Sequence, residues 1–388
     1  MGGFRSSCVL ATCLVASSAR ARADGDEAAL ADDAPVEVHG FVSQGFLLST
    51  GNDYLAHSKR GSFEFSEAGI NVSKALGDRL RVGLQFFTRD LGPNGDYRAK
   101  LDWFFFDYLW KDELGVRAGR VKLPFGLYND TVDIDAAHTF ALLPQSVYPT
   151  DQRDFLLAQT GVELYGYRDL GAAGAVDYRA YGGTIFLEVA DQPGSPVTVV
   201  ELTIPYVVGG RVLWEPPVDR LRIGASAQVL RLDGDLLIPP GAAVSVTLPA
   251  ILWVASLEYA PDQLLIAAEY SRWHVRLESS DPMLYPESRS TSERAYALIS
   301  YRLSPWLQPG AYYSLYYPDV ADRSGRDAVQ HDAAAAVRFD ISTHWILKLE
   351  GHLMRGTADV EPTLNDGRPR AALATPWSLF LVKGTAYF

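Results

Sequence analysis

A short acidic run in the first half of the chain carries residues whose charges could act together. Asp130, Asp133 and Asp135 lie in one irregular segment, and Arg153 and Asp154 follow near its end. Carboxylates and guanidinium groups at this spacing could pair with bases on neighbouring elements and set up a local electric field. The candidate bases lie on the polar faces or at the ends of predicted strands three to five: Arg81, Arg98, Lys100, Arg117, Arg120 and Lys122.

Motifs for catalysis or cofactor binding are missing from the sequence. It contains no His-Glu-x-x-His pair, no Gly-x-Ser-x-Gly elbow, no phosphate-binding loop and no dinucleotide-binding glycine pattern. The seven histidines are scattered, and His274 and His352 fall on predicted strands. We therefore assign no catalytic, cofactor-binding or metal-binding residues, and we expect neither a cofactor nor an enzyme.

The elements that would position the charged residues are β-strands. Apolar and polar residues alternate with a period of two in Arg79–Phe86, Arg220–Val229 and Leu347–Leu353. In the second of these, the odd-numbered positions are all apolar, and the even-numbered ones are arginine, glycine, serine and glutamine. A charge at the middle of a lipid bilayer costs roughly 2–4 kcal/mol, so the apolar faces are predicted to meet lipid and the polar faces a wet lumen.

The connections between predicted strands alternate between short and long. Short turns are predicted near 77–79, 111–113, 171–174, 216–219, 261–263, 304–305 and 342–343. Longer polar loops are predicted near 50–61, 90–97, 123–157, 188–196, 233–245, 278–290, 318–328 and 355–374. These seven turns and eight loops predict an all-β, antiparallel, up-and-down transmembrane barrel of about 16 strands. Eighteen strands stay possible, because Val197–Ile204 is also β-prone and either extends the eighth strand or forms another.

Composition excludes two classes of protein. The chain is 48% hydrophobic, yet no apolar stretch is long enough for a membrane-spanning helix. Its net charge of −12 argues against nucleic acid as a partner.

Tryptophans beside short turns and tyrosines near a long loop predict two interfacial aromatic girdles. These aromatics are Trp110, Trp214, Trp306, Trp345, Tyr312, Tyr313, Tyr316 and Tyr317.

The first 23 residues are typical of an export signal. Arg5 precedes a short apolar run, and Ala21-Arg-Ala23 matches a cleavage pattern, so we expect cleavage near Ala23 or after Ala21. A lipoprotein signal ending at Cys13 is an alternative. Cleavage would remove the only two cysteines, together with three arginines and no acid, and would move the net charge from −12 to −15. Residues 24–35 are predicted to be a disordered acidic periplasmic leader, and 36–388 the barrel domain.

The chain ends on an alternating strand that closes with phenylalanine. Phe380, Val382, Gly384 and Phe388 share one face, with Lys383 on the other. A terminal strand of this kind resembles the assembly signal of Gram-negative outer-membrane barrels, which implies the barrel-assembly machinery as a partner through Phe380 and Phe388.

The segment Leu123–Leu157 is the longest irregular stretch, and loops of this length are usually functional. It opens within Gly119-Arg-Val-Lys-Leu-Pro-Phe-Gly126, a stretch that resembles the strand-to-loop junction of Gram-negative porins of the general and phosphate-selective kinds. The resemblance covers 36–388. It implies that the third loop folds into the lumen and narrows it, that the chain is a homotrimer in outer-membrane lipid, and that small hydrophilic solutes diffuse through it.

The resemblance gives the charged residues a location at a pore constriction. Asp130, Asp133, Asp135, Arg153 and Asp154 would lie on the loop side, and the six bases named above on the wall side. Pro124 and Gly126 would let the chain leave the strand ladder, and residues 136–143 could form a short helix. The acidic balance and the loop aspartates favour a weak preference for cations.

Three alternatives to a general diffusion porin stay open. An anion- or phosphate-selective porin would need a denser ladder of bases, which Asp102, Glu163, Asp177 and Glu350 interrupt. A structural barrel would have a plugged lumen and no conductance. An outer-membrane enzyme would draw catalytic residues from separate strands.

Overall fold

The computed structural model describes residues 34–187 and 197–388. The predicted signal peptide 1–23, most of the predicted leader 24–35 and the predicted loop 188–196 therefore lie outside the described residues. Among the described residues, no helix has the length and apolar character needed to cross a bilayer.

Sixteen antiparallel strands form one closed barrel in which each strand pairs with its neighbours in sequence and the first pairs with the last. The strands are β1 Glu37–Ser49, β2 Ser66–Ala75, β3 Leu80–Asp90, β4 Lys100–Lys111, β5 Leu114–Lys122, β6 Ala158–Asp169, β7 Ala175–Ile185, β8 Thr198–Glu215, β9 Leu221–Ile238, β10 Ala242–Tyr259, β11 Leu264–Ser279, β12 Ser288–Tyr301, β13 Leu307–Tyr317, β14 Gln330–Ser342, β15 Trp345–Gly356 and β16 Trp377–Tyr387. The predicted fold class and strand number are confirmed.

Closure depends on the two ends of the chain. β1 pairs with β16 from Phe41 opposite Tyr387 to Ser49 opposite Leu379. Gly40 and Phe388 extend this ladder by exchanging two backbone hydrogen bonds of 3.0 Å. Because every strand has two partners, the barrel leaves no open edge. Phe380 and Phe388 both point outward and are exposed; their role as an assembly signal stays a prediction.

The barrel is polar inside and apolar outside, the reverse of a soluble protein. On β15, Lys348 and Glu350 are each only 1% exposed, whereas the outward Leu353 is 72% exposed. On β9, Ser226 and Gln228 point inward and are buried, while the alanines and Val229 between and beyond them point outward. The period-two pattern therefore assigns the faces correctly.

Seven short connections lie at the end of the barrel that carries both chain ends: 76–79, 112–113, 170–174, 216–220, 260–263, 302–306 and 343–344. At the other end, which we call the loop end, are 50–65, 91–99, 123–157, 239–241, 280–287, 318–329 and 357–376, together with the described residues 186, 187 and 197 between β7 and β8. The predicted loop 233–245 is wrong, since β9 and β10 continue through it and only 239–241 connects them. Leu236, Val244 and Val246 are buried together there, which favours strand over loop. Val197–Ile204 extends the eighth strand, so no further hairpin forms.

Two further local predictions need correction. Arg98 lies in the exposed connection before β4 and not on that strand, which begins at Lys100. The predicted helix over 136–143 is limited to one 3₁₀ turn, Asp135–Ala137. Beyond it, the Phe140 carbonyl and the Ala141 amide bind Lys348 and Glu350, so these groups are not left for helical hydrogen bonds.

Aromatic side chains mark both ends of the outer surface. The four predicted tryptophans are exposed beside short turns. Tyr313 is outward and half exposed, but Tyr312 is buried in the lumen, and Tyr316 lies against the inward Arg294. Alternation along β13 divides the tyrosines between the two faces, so only Tyr313 and Tyr317 can contribute to a girdle.

Candidate functional site

Residues 123–157, the third loop, fold into the lumen. The loop is pinned at its base, where the Leu123 amide donates to the Leu157 carbonyl at 2.9 Å. Gly126, at φ +63°, lies so close to the wall that a Cβ there would be 2.9 Å from a Glu269 oxygen of β11, and 2.5 Å from the Tyr148 hydroxyl of the loop itself. Of these residues, all of which the structure describes, only Asp151 is exposed. The loop is therefore a packed layer across the barrel and not a mobile flap.

Asp130 forms the first anchor between loop and wall. Arg179 on β7 and Arg211 on β8 stand directly opposite each other, and both donate to one Asp130 oxygen at 2.7 and 3.0 Å. Like charges directly opposite one another repel. The Asp130 carboxylate therefore reduces the repulsion between these two arginines of the wall. Burial raises the pKa of Asp130, but the two arginines outweigh it and hold the pKa below its usual value.

Asp135 forms a second anchor of the same design. Lys348 on β15 and Lys383 on β16 are directly opposed, and Asp135 lies 3.2 and 2.9 Å from their ammonium groups. Thr385 donates to the same carboxylate at 2.5 Å. Burial opposes ionisation of Asp135, yet the two lysines lower its pKa well below the usual value.

The third anchor runs in the opposite sense, from a loop base to a wall acid. Arg153 binds both oxygens of Asp102 on β4 at 3.0 and 2.9 Å, and both oxygens of Asp133 at 2.8 Å. Its guanidinium also lies 4.0 Å from the centre of the Phe87 ring. Although burial raises the pKa of Asp133, the charge of Arg153 lowers it strongly. A bidentate guanidinium on two carboxylates fixes direction as well as distance.

On the far side of the loop, uncharged loop groups donate hydrogen bonds to two acids on the wall. Glu269 on β11 accepts the Leu127 amide at 2.9 Å and the hydroxyls of Tyr148 and Tyr296. Tyr128 donates to Glu258 on β10 at 3.0 Å. These contacts surround an apolar cluster that includes Leu127, Tyr148 and Tyr296, so the loop excludes water from this half of the lumen.

The structure brings some of the predicted residues together. Lys100 binds Asp154 at 3.0 Å, and Lys122 lies 3.7 Å from Asp133. Arg153 bridges Asp133 to the wall, as described above.

Other predicted wall bases do not face the loop aspartates. Arg81 lies 3.7 Å from Glu37 near the short-turn end. Arg117 binds Asp107 and Glu163, both on the wall, and Arg120 donates to the Asp102 carbonyl at 2.7 Å. Arg98 is exposed outside the lumen.

The bases that hold Asp130 and Asp135 were missed from the sequence. Arg179, Arg211, Lys348 and Lys383 all occupy inward positions of alternating strands, which is the one signal that pointed to them. Which bases face one loop residue depends on the strand register and on the path of the loop across the barrel.

A narrow gap of about 50 Å³ remains between the third loop and the wall formed by β2, β3 and β16. Arg89, Glu67 and Lys383 line its wall side, and Asp133 and Tyr148 its loop side. Arg89 donates to the Thr150 carbonyl at 3.2 Å. Among the described residues, its Nη1 has no hydrogen-bond partner, and no carboxylate forms an ion pair with it. The gap has room for a few water molecules.

A wider cavity of about 670 Å³ opens at the short-turn end. The turns 170–174 and 216–220 surround it, and Arg222 and Glu258 lie on its inner side. Glu258 also accepts a hydrogen bond from Tyr128 of the third loop. This cavity therefore reaches the third loop from the short-turn end of the barrel.

Two titratable groups near the loop have shifted pKa values. Burial, reinforced by the charge of Lys348, lowers the pKa of His138 to about 4, so this histidine is neutral at pH 7 and donates to the Thr131 carbonyl. At the loop end, burial and the charge of Asp151 raise the pKa of Asp359 to about 7. The described residues contain no group of three or more histidine, cysteine or acidic side chains placed to hold a metal ion.

Comparison with known proteins gives similarity in structure only. No protein-family model and no curated protein matches the sequence. OmpT of Vibrio cholerae, an outer-membrane protein solved in a trimer form, matches with a TM-score of 0.59 and 12% identity over 92% of this chain and all of its own. An anion-selective porin from Comamonas acidovorans matches at 0.57 and 11%, over 92% and 100% of the chains. OmpF of Salmonella typhi matches at 0.54 and 11%, over 91% and 97%. The chain thus has the fold of outer-membrane barrels.

The Asp135→Asn substitution should destabilise the loop anchor. It leaves Lys348 and Lys383 opposed without their shared carboxylate, and loss of one partner of a buried ion pair costs roughly 3–5 kcal/mol. Asp151→Asn removes the same charge from the exposed position of the loop and is the matched control. Urea unfolding of both refolded variants measures the free energies; equal losses would refute the anchor.

Docking of the loop should weaken in acid. The pKa values of Asp130, Asp133 and Asp135 lie below their usual value in the folded chain. Their contribution is therefore complete above about pH 4 and is lost as the pH falls through the lowered folded values. Proteolysis between pH 7 and pH 2, using an acid-active protease below pH 4, should show loop cleavage rising in acid. The triple aspartate-to-asparagine variant should be cleaved at all pH values, and an acid-independent wild type would contradict the assignment.

Proposed function

We propose that this chain is an outer-membrane porin of narrow bore, through which water, ions and the smallest hydrophilic solutes diffuse. The observation that carries the proposal is the gap beside Arg89, lined by charged and apolar side chains, inside a barrel whose outer surface is apolar. An apolar outer surface is stable in lipid. The closed strand ladder also gives the backbone N–H and C=O groups of every strand hydrogen-bond partners on its neighbours. The barrel fold shared with structures named as porins agrees with this function.

The setting follows from the same proposal. The chain would be exported to the outer membrane of a Gram-negative bacterium by a signal cleaved near Ala23. It would be inserted by the barrel-assembly machinery through its last strand, and assemble as a homotrimer. One matching structure is described as a trimer form, which supports the last point by analogy.

We propose that the channel prefers anions. This differs from the weak preference for cations that the loop aspartates led us to expect from the sequence. Asp130 and Asp135 are each held between two bases, and Asp133 is bound by Arg153. Their charges are thus compensated within about 4 Å, so they contribute little field to the gap. Arg89 has no such partner among the described carboxylates and lines the gap directly.

A non-conducting barrel is the second candidate, and the near-complete burial of the third loop favours it. We do not propose an enzyme. The most enclosed histidine, His352, lies between Asp332 and Glu350 and near Tyr312, an arrangement that positions the ring and offers no serine or cysteine nucleophile.

Planar-bilayer recording of the refolded mature chain should give small, stepwise openings with a reversal potential of anion-preferring sign. Arg89→Gln should reduce this preference by several-fold, because it removes a positive charge that lines the gap and forms no ion pair among the described residues. Arg98→Gln removes an exposed charge outside the lumen and should leave the potential unchanged. A wild-type barrel that inserts without conducting would favour the second candidate.

Contact of the outer surface with lipid can be tested with two similarly exposed valines. Val208 lies outward on β8 and is 57% exposed, and Val218 lies in a short turn and is 52% exposed. In lipid vesicles, Val208→Arg should lower the free energy of unfolding by roughly 2–4 kcal/mol, whereas Val218→Arg should have little effect. Equal tolerance of both arginines would show that β8 does not face lipid.

A further inference from the structure

Two pairs of opposed bases inside the barrel each share a carboxylate. Arg179 and Arg211 share Asp130, and Lys348 and Lys383 share Asp135. Arg338, which stands opposite Lys348 on the next strand, binds Asp340. Direct opposition of like charges destabilises a sheet. In this chain, each such inward pair is accompanied by an anion.

Two arginines are opposed in the same way on the outside of the barrel. Arg276 on β11 stands directly opposite Arg289 on β12, and both side chains are exposed. They are outward because Arg276 alternates with the inward, buried Trp273 along β11. Arg276 lies 3.1 Å from Glu278 on its own strand. No ion pair joins Arg289 to any carboxylate in the described part of the chain, so this pair lacks a shared anion.

The surroundings of the pair are also basic. Arg272 and Arg323 both bind Glu293, at 3.2 and 2.9 Å, and therefore share one negative charge between two positive ones. His274 lies between Arg272 and Arg276 on the same outward face, with its ring against Thr291. We call Arg272, His274, Arg276, Arg289 and Arg323 the basic rim. Among the described residues, its four arginines form ion pairs with only two carboxylates, Glu278 and Glu293, while Asp319 nearby accepts the Thr291 amide at 3.4 Å. The chain as a whole has a net charge of −12.

Aromatic rings place the basic rim at a defined depth. Arg272 donates to the Tyr270 hydroxyl at 2.7 Å and stands opposite Trp253. The Arg323 guanidinium lies 4.4 Å from the centre of the Tyr317 ring. Towards the short turns, the outward face continues with alanines and Ile299. Aromatic side chains sit at the membrane interface, so bases directly beyond them lie at the level of lipid headgroups.

We propose that the basic rim binds the phosphate group of an anionic membrane lipid, with Arg276 and Arg289 on either side of the phosphate. A phosphate offers several acceptor oxygens, which match the paired donors of two guanidinium groups. The apolar strand surface below would contact the acyl chains, which is the reason to choose a lipid over a free phosphate ion. This inference rests on the proposed location in a membrane but not on conductance.

The test is native mass spectrometry of the full refolded chain in detergent with added phosphatidylglycerol. Arg276→Gln/Arg289→Gln should weaken lipid retention by about tenfold or more, since it removes two charge-assisted contacts. The control is Arg168→Gln/Arg220→Gln, which removes two exposed charges near the short-turn end and should retain lipid like the wild type. Single Arg289→Glu should weaken retention as well, which guards against loss through misfolding of the double variant.

Several outcomes would overturn the proposal. Equal retention by the rim variant and the control would show that the pair does not bind the lipid. Full competition by inorganic phosphate at matched concentration would assign the site to a free anion. A neutral diacylglycerol lipid retained as well as phosphatidylglycerol would show that the headgroup phosphate is not recognised. Lipid retention by a wild-type barrel that fails to conduct would refute the porin proposal and leave this one intact.

Discussion

The interior of this barrel depends on one electrostatic constraint: bases that stand opposite one another on adjacent strands need a carboxylate between them. The wall of the lumen places Arg179 against Arg211 and Lys348 against Lys383, and like charges in direct opposition repel each other. Asp130 of the third loop binds both arginines, and Asp135 binds both lysines. Removing either loop acid would take away the carboxylate that two opposed bases share, although Arg179 would keep its ion pair with Glu163 and Lys383 its ion pair with Glu67. Loss of a buried partner is more costly than loss of a surface ion pair. The path of the loop across the barrel follows from these two points.

In the proposed porin, the same pairing would determine what the third loop contributes to transport. A loop whose acids are compensated acts as a wall, closing most of the lumen with side chains packed around Tyr148 and Leu127. In the proposed porin, Arg89 would supply the field in the remaining gap, which it lines without forming an ion pair among the described residues. Under this proposal, the residues that fill the lumen would differ from the residue that sets its selectivity.

The outer surface obeys a separate constraint. Strands without an open edge satisfy their own backbone groups, so the side chains on the outside can be apolar. Between the aromatic rings of the two ends, the outward positions are mostly leucine, valine, isoleucine and alanine. Outward charges occur beside aromatic rings, as at Arg272 next to Tyr270. Inward positions of one strand are therefore mostly polar and outward positions mostly apolar. The period of two places successive residues on opposite faces.

The sequence by itself was enough for the class of fold, the sixteen strands and the assignment of faces, because alternation is a local property that neighbouring residues determine. It was also enough to single out the third loop and its aspartates. It misplaced the loop at 233–245 and the helix over 136–143, where apolar packing and wall contacts outweigh local propensity.

The partners of the aspartates were decided only by the tertiary structure. Arg179 and Lys348 are far from the loop along the chain, and nothing in their local sequence marks them as its partners. They face it because strand register and barrel closure bring them there. Contacts across a barrel depend on the summed register of all the strands between them, and that sum is a property of the closed sheet and not of any one segment.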